Sequence, residues 1–537
     1  MPQSKRGIVV AANPIASRVG LSVLKKGGNA IDAAVATAQA LGVANLAFSG
    51  IGGGGFALIW LAKEQKPVFI DYRERAPISA SENMFQVNSS GKVVGNQNAE
   101  GYRAVAVPGT LTGHALMLER LGSMKLKELI QPAIDCARRG FQVRRTLAYV
   151  WKQKSTISKL KRSKASSSIY LRKSRPYRQG EKISLPDLKK SLEKIAANGY
   201  MEFYDGSIAA KICDDMKANN GLVTRADFQR YTPTLRNPLR GSYKGFDIIS
   251  APPPSVGPTI ILQVLNMLET YSLKSYGHNS AQTLHLLAEV LARGNENCRT
   301  RVCDPDFAAV PMDLLVSKDF AREASKNINP NAASLPGNPL SSMPASNTTH
   351  LVTADSEGNV VSMTESIECY FGSGVTVPGT GIILNDTMHD FDPQPKMANS
   401  VGPWKIPMSS MCPTIVLKDG RPILALGSAG GPRIVTSTLQ ALLNVAEFEM
   451  GVKEAVAAPR MHLDGDCIQL ENSIPSAAVK ELRKMGHKIQ VKKPKDKSDP
   501  GLYFGGVHAA EFTEEGMRGG ADPRRDGLAI SLHETGK

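Results

Sequence analysis

The sequence predicts a layered α+β fold, and three observations carry that prediction. The chain has 537 residues, 42% hydrophobic and 21% charged, enough apolar material for one large core or two to three smaller ones. Strand-like and helix-like segments come in blocks rather than in strict βαβ alternation, which argues against a parallel doubly wound sheet. An alanine-rich helical segment near the start has the composition of a helix packed closely on a sheet.

The elements follow in order. A short strand at Gly7-Ile-Val-Val-Ala-Ala leads through Pro14 into a helix over 16–26, the turn Gly27-Gly28-Asn29 and the alanine-rich helix over 30–46. Strands are expected at 56–61, 67–72, 102–107, 246–250, 351–354, 360–363, 382–384, 414–417 and 423–426. Helices are expected at 111–121, 126–139, 185–198, 208–219, 258–268, 281–293, 318–326, 435–448 and 476–485.

Gly50-x-Gly52-x-x-Gly55 has the spacing of a dinucleotide-binding loop. That loop needs a strand before the glycines and a helix after them. Here a helix precedes and the β-rich residues 56–61 follow, so the glycines instead mark a close approach of two backbones.

Composition excludes a disordered chain, a coiled coil, a collagen repeat and a disulfide-stapled miniprotein. No apolar run reaches the roughly 18 residues of a membrane span. Met1-Pro-Gln-Ser-Lys-Arg-Gly is basic but leads into no signal-peptide core, so the chain as written points to the cytoplasm, or to export if an upstream segment precedes it. The formal charge of +16 is concentrated: residues 144–182 hold thirteen Lys and Arg against Glu181 alone. With no interleaved aromatic pattern, the stretch is expected to be a solvated surface excursion rather than a nucleic-acid site. Seven scattered cysteines without C-x-x-C, and nine histidines without ligand spacing, give no metal and no cofactor.

Residues 327–347 are dominated by Asn, Pro, Ser, Ala and Gly and are expected to form an exposed, flexible linker. Directly after it, Thr348-Thr349-His350-Leu-Val-Thr-Ala begins a β-hairpin with its turn at 356–359. A slack tether running into a strand is a suggestive junction.

At this junction Asn347-Thr348-Thr349-His350, the D-x-x-G-N turn and Tyr370-Phe-Gly-Ser-Gly374 resemble the γ-glutamyltransferase (glutathione hydrolase proenzyme) family of the N-terminal-nucleophile hydrolases. The resemblance runs nearly end to end. It includes Gly27-Gly-Asn-Ala-Ile-Asp-Ala-Ala, Asp71-Tyr-Arg-Glu-Arg-Ala-Pro77, Val107-Pro-Gly-Thr and Ala251-Pro-Pro-Pro-Ser-Val-Gly. It continues through Pro407-Met-Ser-Ser-Met-Cys-Pro-Thr, Gly427-Ser-Ala-Gly-Gly and Ala521-Asp-Pro-Arg.

The resemblance implies a four-layer αββα sandwich built from two autoprocessed chains, 1–347 and 348–537, which together form one intertwined catalytic domain. Thr348 would attack the carbonyl of Asn347, and hydrolysis of the resulting ester would free the Thr348 α-amine as a base for its own hydroxyl. Arg73 matches the arginine that binds the substrate α-carboxylate, and Ser409 and Ser410 match the paired serines that add hydrogen bonds to it. Gly430 and Gly431 match the oxyanion-hole glycines, and Asp390 the acid that meets the substrate ammonium.

Three positions depart from the pattern. Glu368 stands where many members have Asn, and Thr387 where they have Gln or Glu. Ser366 replaces the threonine that hydrogen-bonds the nucleophile. The segment 392–407 is also short compared with members that carry a lid over the donor site.

The reading implied is cleavage of a γ-glutamyl amide, glutathione or a relative, through a γ-glutamyl-threonine ester resolved by water or by an amino acid or peptide amine. Alternatives are an acylase for a glutaryl or poly-γ-glutamate amide with the same threonine chemistry, and a non-catalytic anion-binding protein. The partners expected are the small-molecule substrate and the two chains of one precursor, with no nucleic acid.

Overall fold

The computed structural model describes residues 4–334 and 347–532. Its centre follows from the two-residue period of the strands. All eight residues of Thr348–Asp355 are buried. Leu351 faces one apolar cluster, while Val352 and Ala354 face another. Ala57 and Ile59 alternate in the same way with Phe56 and Leu58, and Val9 and Ala11 with Ile8 and Val10. A sheet apolar on both faces must be covered on both.

That sheet has seven strands in the order Leu528–Ser531, Gly7–Ala11, Thr348–Asp355, Val360–Ser366, Gly54–Leu61, Lys66–Asp71 and Thr234–Arg236. A second sheet has six, in the order Gly516–Ala521, Gly506–Thr513, Arg421–Ala429, Thr414–Lys418, Phe246–Ser250 and Leu239–Tyr243. Neighbouring strands in both are antiparallel. The sheets face each other. Helices Pro14–Lys25 and Ala30–Ala44 cover the outside of the first, and Val256–Leu268 and Arg433–Ala446 the outside of the second. The αββα sandwich expected from the resemblance is the fold observed.

Several motifs prove to be architectural. Asn29 and Asp32 form a capping box at the start of Ala30–Ala44. Asp355 closes the hairpin by accepting from the amides of Glu357 and Asn359, both at 3.0 Å. In Ala521-Asp-Pro-Arg, Asp522 pairs with Arg460 at 2.8 Å and accepts from the Val507 amide at 2.8 Å, tying the last strands to the second sheet. The Gly52–Gly53 turn is a crossing of backbones, as expected. A Cβ on Gly52 would lie 2.0 Å from the Ile383 carbonyl oxygen, and one on Gly53 2.0 Å from that of Ser366.

Other expectations change. Residues 102–107 form a short 3-10 turn, Tyr102–Ala104, and a single bridge from Val107 to Arg75, in place of the expected strand. Residues 382–384 likewise make one bridge, Ile383 to Thr376. The stretch 144–182 is more than a solvated excursion. It folds into helices Arg145–Trp151, Lys154–Arg162 and Lys164–Tyr170, whose Trp151, Leu160 and Tyr170 are buried in the second apolar cluster beside Phe371. Of the linker 327–347, residues 335–346 lie outside the described residues. The part before them is anchored: the Ser334 amide donates to Glu289 at 2.8 Å, and His285 meets the Asn329 carbonyl at 2.8 Å. No helix is long and apolar enough to cross a membrane among the described residues.

Candidate active site

Thr348 opens its strand at the edge of a crowded polar junction. It pairs in the ladder with Ser366, and their hydroxyl oxygens are 3.3 Å apart. Ser366 also reaches the preceding peptide bond, where its Oγ donates to the carbonyl oxygen of Asn347 at 3.0 Å. The hydroxyl is fixed from behind by the Glu368 amide, which donates to it at 2.8 Å. Asn347 is held in turn, its amide donating to the Glu368 carbonyl at 2.7 Å. The Asn347–Thr348 bond therefore has a hydroxyl on one side and a hydrogen-bonded carbonyl on the other.

Thr348 and His350 share the face turned toward the second sheet. His350 is wedged against Gly427, where a Cβ would meet its ring at 2.3 Å, and Thr364 Oγ1 is 2.8 Å from its Nδ1. Burial holds its pKa well below the usual histidine range, so it is neutral. From Gly427 the strand Arg421–Ala429 runs out to Gly430 and Gly431, whose φ angles are +135° and +60°. Neither glycine N–H donates a hydrogen bond among the described residues. Ser410 Oγ donates to the Gly431 carbonyl at 3.0 Å and so fixes that turn. Ser409 Oγ accepts from the Met411 amide at 3.1 Å, which leaves its proton for another acceptor.

Arg73 is almost fully buried. It donates to the carbonyls of Pro407 and Met408, both at 3.1 Å, and forms an ion pair with Asp390. Burial opposes its charge, but Asp390, Glu74 and Glu368 together raise its pKa. The two groups expected at opposite ends of a substrate amino-acid head are thus already partnered. Glu368 has φ +73° and hydrogen-bonds Asp390, while its Oε1 is buried without a partner. Burial and then the adjacent Asp390 push the Glu368 pKa well up, which favours its protonated form.

Thr387 is turned the other way. Its hydroxyl donates to Glu74 Oε1 at 2.9 Å rather than facing open space. Sequence reasoning missed Glu74, a fully buried carboxyl 3.8 Å from Arg73. Burial pushes its pKa up to about 7 against the pull of Arg73. The signal was present in Arg73-Glu74-Arg75, an acid between two arginines directly after a buried strand.

The segment 392–407 packs away from the cleft. Trp404 lies under the guanidinium groups of Arg230 and Arg75, 4.8 and 5.8 Å from its ring centroid, and Asn399 ties back to the Asp390 carbonyl at 2.7 Å. A cleft of about 590 Å³ is lined by Asn347, the residue before Thr348, and by Gly430. None of its described lining residues comes from 392–407.

Two groups of side chains bring three potential metal ligands together, His285 with Glu289 and His487, and Cys369 with Asp386 and His389. Each already contains a cation's partner: Glu289 pairs with Arg293 at 2.7 Å, and Asp386 faces Lys159 at 3.6 Å.

Comparison with known proteins adds to this geometry. The profile of the family described as Gamma-glutamyltranspeptidase matches residues 16–532. A glutathione hydrolase proenzyme from Pseudomonas sp. (strain A14) is 40% identical over 475 residues, covering 86% of this chain and 82% of its own. The acylase ACY 1 proenzyme from Pseudomonas sp. (strain SE83) is 39% identical over 533 residues, covering 98% and 94%. Among solved structures, a cephalosporin acylase from Bacillus halodurans superposes with a TM-score of 0.89 at 30% identity, covering 99% of this chain and 97% of its own.

Proposed function

As this chain belongs to the gamma-glutamyltranspeptidase family, we propose that it is an autoprocessed enzyme that cleaves γ-glutamyl amides and passes the acyl group to water or to an amine. The observation that carries the proposal is the Ser366 hydrogen bond to the Asn347 carbonyl, with Thr348 Oγ1 beside it.

In processing, Thr348 Oγ1 adds to the Asn347 carbonyl carbon while Ser366 donates to the developing oxyanion. Collapse breaks the C–N bond and leaves an ester on Thr348 with a free α-amine. Water hydrolyses the ester, giving chains of 347 and 537 − 347 = 190 residues. The α-amine, with a pKa of about 8, then accepts the Thr348 hydroxyl proton during attack on substrate. Gly430 and Gly431, their N–H groups unengaged, suit the oxyanion of that second reaction.

Arg73 fits the substrate carboxylate, with Ser409 adding its free proton. Asp390, with Glu368 beside it, forms an acidic end of the site suited to an ammonium. Thr387 acts on the site through Glu74. Glutathione, whose γ-glutamyl head carries both groups, is the donor this arrangement fits best.

A second reading is an acylase for a glutaryl amide, favoured by the near full-length similarity to the acylase ACY 1 proenzyme. The acid pair argues against it, because a glutaryl group has no ammonium to bind. Mass spectrometry of the smaller chain should find Thr348 at its amino terminus, and Thr348→Ala should leave one intact chain. Any other terminus in active protein would overturn the proposal. Faster turnover of a glutaryl than of a γ-glutamyl anilide would select the acylase.

A further inference from the structure

This cleft has a charge pattern that the reaction at Thr348 does not use. Asn347 and Gly430 line it while Arg73, Glu368 and Asp390 do not, so the amino-acid head held by those three residues lies outside it. One wall comes from the basic stretch, with Tyr149 and Lys159. The other comes from Lys492, Lys493, Lys495 and Tyr503.

The two acids in the lining are committed. Glu100 pairs with Arg162 at 2.8 Å. Asp499 accepts from the Tyr149 hydroxyl at 3.0 Å and from the amides of Lys495 and Gly501 at 3.0 and 2.9 Å. Lys159 is committed as well, to the Gly372 carbonyl at 2.7 Å. Arg433, Lys492, Lys493 and Lys495 form no ion pair among the described residues. Arg433 and Lys492 both lie against the ring of Tyr503, 4.5 and 4.6 Å from its centroid. Arg433 Nε is buried without an acceptor. Two cations on one aromatic ring with no counter-ion repel each other, and an anion between them removes the repulsion.

We propose that the outer cleft selects substrates whose leaving group or acceptor amine carries a carboxylate, bound by Arg433 and Lys492 beside Tyr503, with Lys493 and Lys495 extending the site for longer polyanionic chains. The inference rests on the γ-glutamyl reading for which bond is cut, but not for the anion site itself.

The test compares γ-glutamyl-4-nitroanilide with γ-glutamyl-3-carboxy-4-nitroanilide on processed enzyme, wild type against the Lys492→Ala/Lys493→Ala/Lys495→Ala variant. One charge-assisted contact predicts that kcat/KM favours the carboxylated anilide by about tenfold at low salt. The preference should fall toward parity in the triple variant and in about 0.5 M salt. A wild-type ratio at or below one, or a ratio the variant leaves intact, overturns the inference.

A second measurement does not depend on turnover: calorimetric titration of processed protein with glycylglutamate and with its diamide, which keeps the ammonium but lacks both carboxylates. Tighter binding of the dicarboxylate, weakened about tenfold in the triple variant, supports the site even if both anilides are inert. Inert anilides would overturn the γ-glutamyl reading instead. Equal binding of the two dipeptides overturns the anion site.

Discussion

Ser366 reaches across the ladder to the carbonyl oxygen of Asn347, 3.0 Å away, from the position paired with Thr348. One hydroxyl thereby touches both the peptide bond and the hydroxyl that the proposed processing step joins. Ser366→Ala removes the donor to the developing oxyanion, a loss of about 2.7–4 kcal/mol in comparable sites. Processing of Ser366→Ala should slow on the order of 10²–10³-fold, followed on gels as conversion of precursor to two chains, while Ser366→Thr keeps the hydroxyl and processes. An alanine variant that matures at the wild-type rate would remove Ser366 from the mechanism.

Glu74 makes stability depend on pH in a direction that can be worked out. Its pKa rises from 4.5 to about 7 on folding, so the folded state holds the proton more tightly. The stabilisation is present in full below pH ~4.5 and is lost as pH rises through ~7. Glu74→Gln should therefore match wild type at low pH and gain on it by about 3 kcal/mol between pH ~4.5 and above ~7. Denaturant midpoints for the two proteins across that range check the sign. A difference that shrinks with rising pH would contradict it.

The fold was legible where one period dominated. Thr348–Asp355 and Val360–Ser366 alternate cleanly and are joined by a turn whose Asp355 and Asn359 chemistry is visible in the letters. The strands at Gly506–Thr513 and Gly516–Ala521 were not legible, because Gly519 and Gly520 sit where the chain presses against Ala529 and the Val452 carbonyl. Sequence alone shows no reason for glycine there. The roles proposed for Thr348, the serine pair and the glycine turn come from the resemblance. Glu74 was not, because its character comes from burial against Arg73 and Thr387, residues brought together by the fold. The basic stretch 144–182 hid Trp151 and Tyr170 among its charges.

Arg73 and Asp390 should behave as a unit in stability. Both are buried, and removing one leaves the other uncompensated, at a cost of about 3–5 kcal/mol. Arg73→Met and Asp390→Leu should each destabilise by about that amount, and the double variant should recover part of the loss while remaining inactive. Thermal midpoints and anilide turnover on all four proteins measure this. Strictly additive losses would show that the two side chains are energetically independent.

Gly53 offers a way to disturb Ser366 without touching its side chain. A Cβ at residue 53 would lie 2.0 Å from the Ser366 carbonyl oxygen and 2.9 Å from Ile367 Cγ2, at the end of the strand that carries Ser366. The backbone of residues 366 and 367 must then move, and a displacement of even about 1 Å at a reacting group costs roughly 10²-fold in rate. Gly53→Ala is expected to fold with its helices intact, by circular dichroism, yet accumulate as precursor. Gly451→Ala is the control, since a Cβ there meets nothing within 4 Å; it should process normally with a stability change within about 1 kcal/mol. Normal maturation of Gly53→Ala would mean that the position of Ser366 does not govern cleavage, whatever its distance from Asn347.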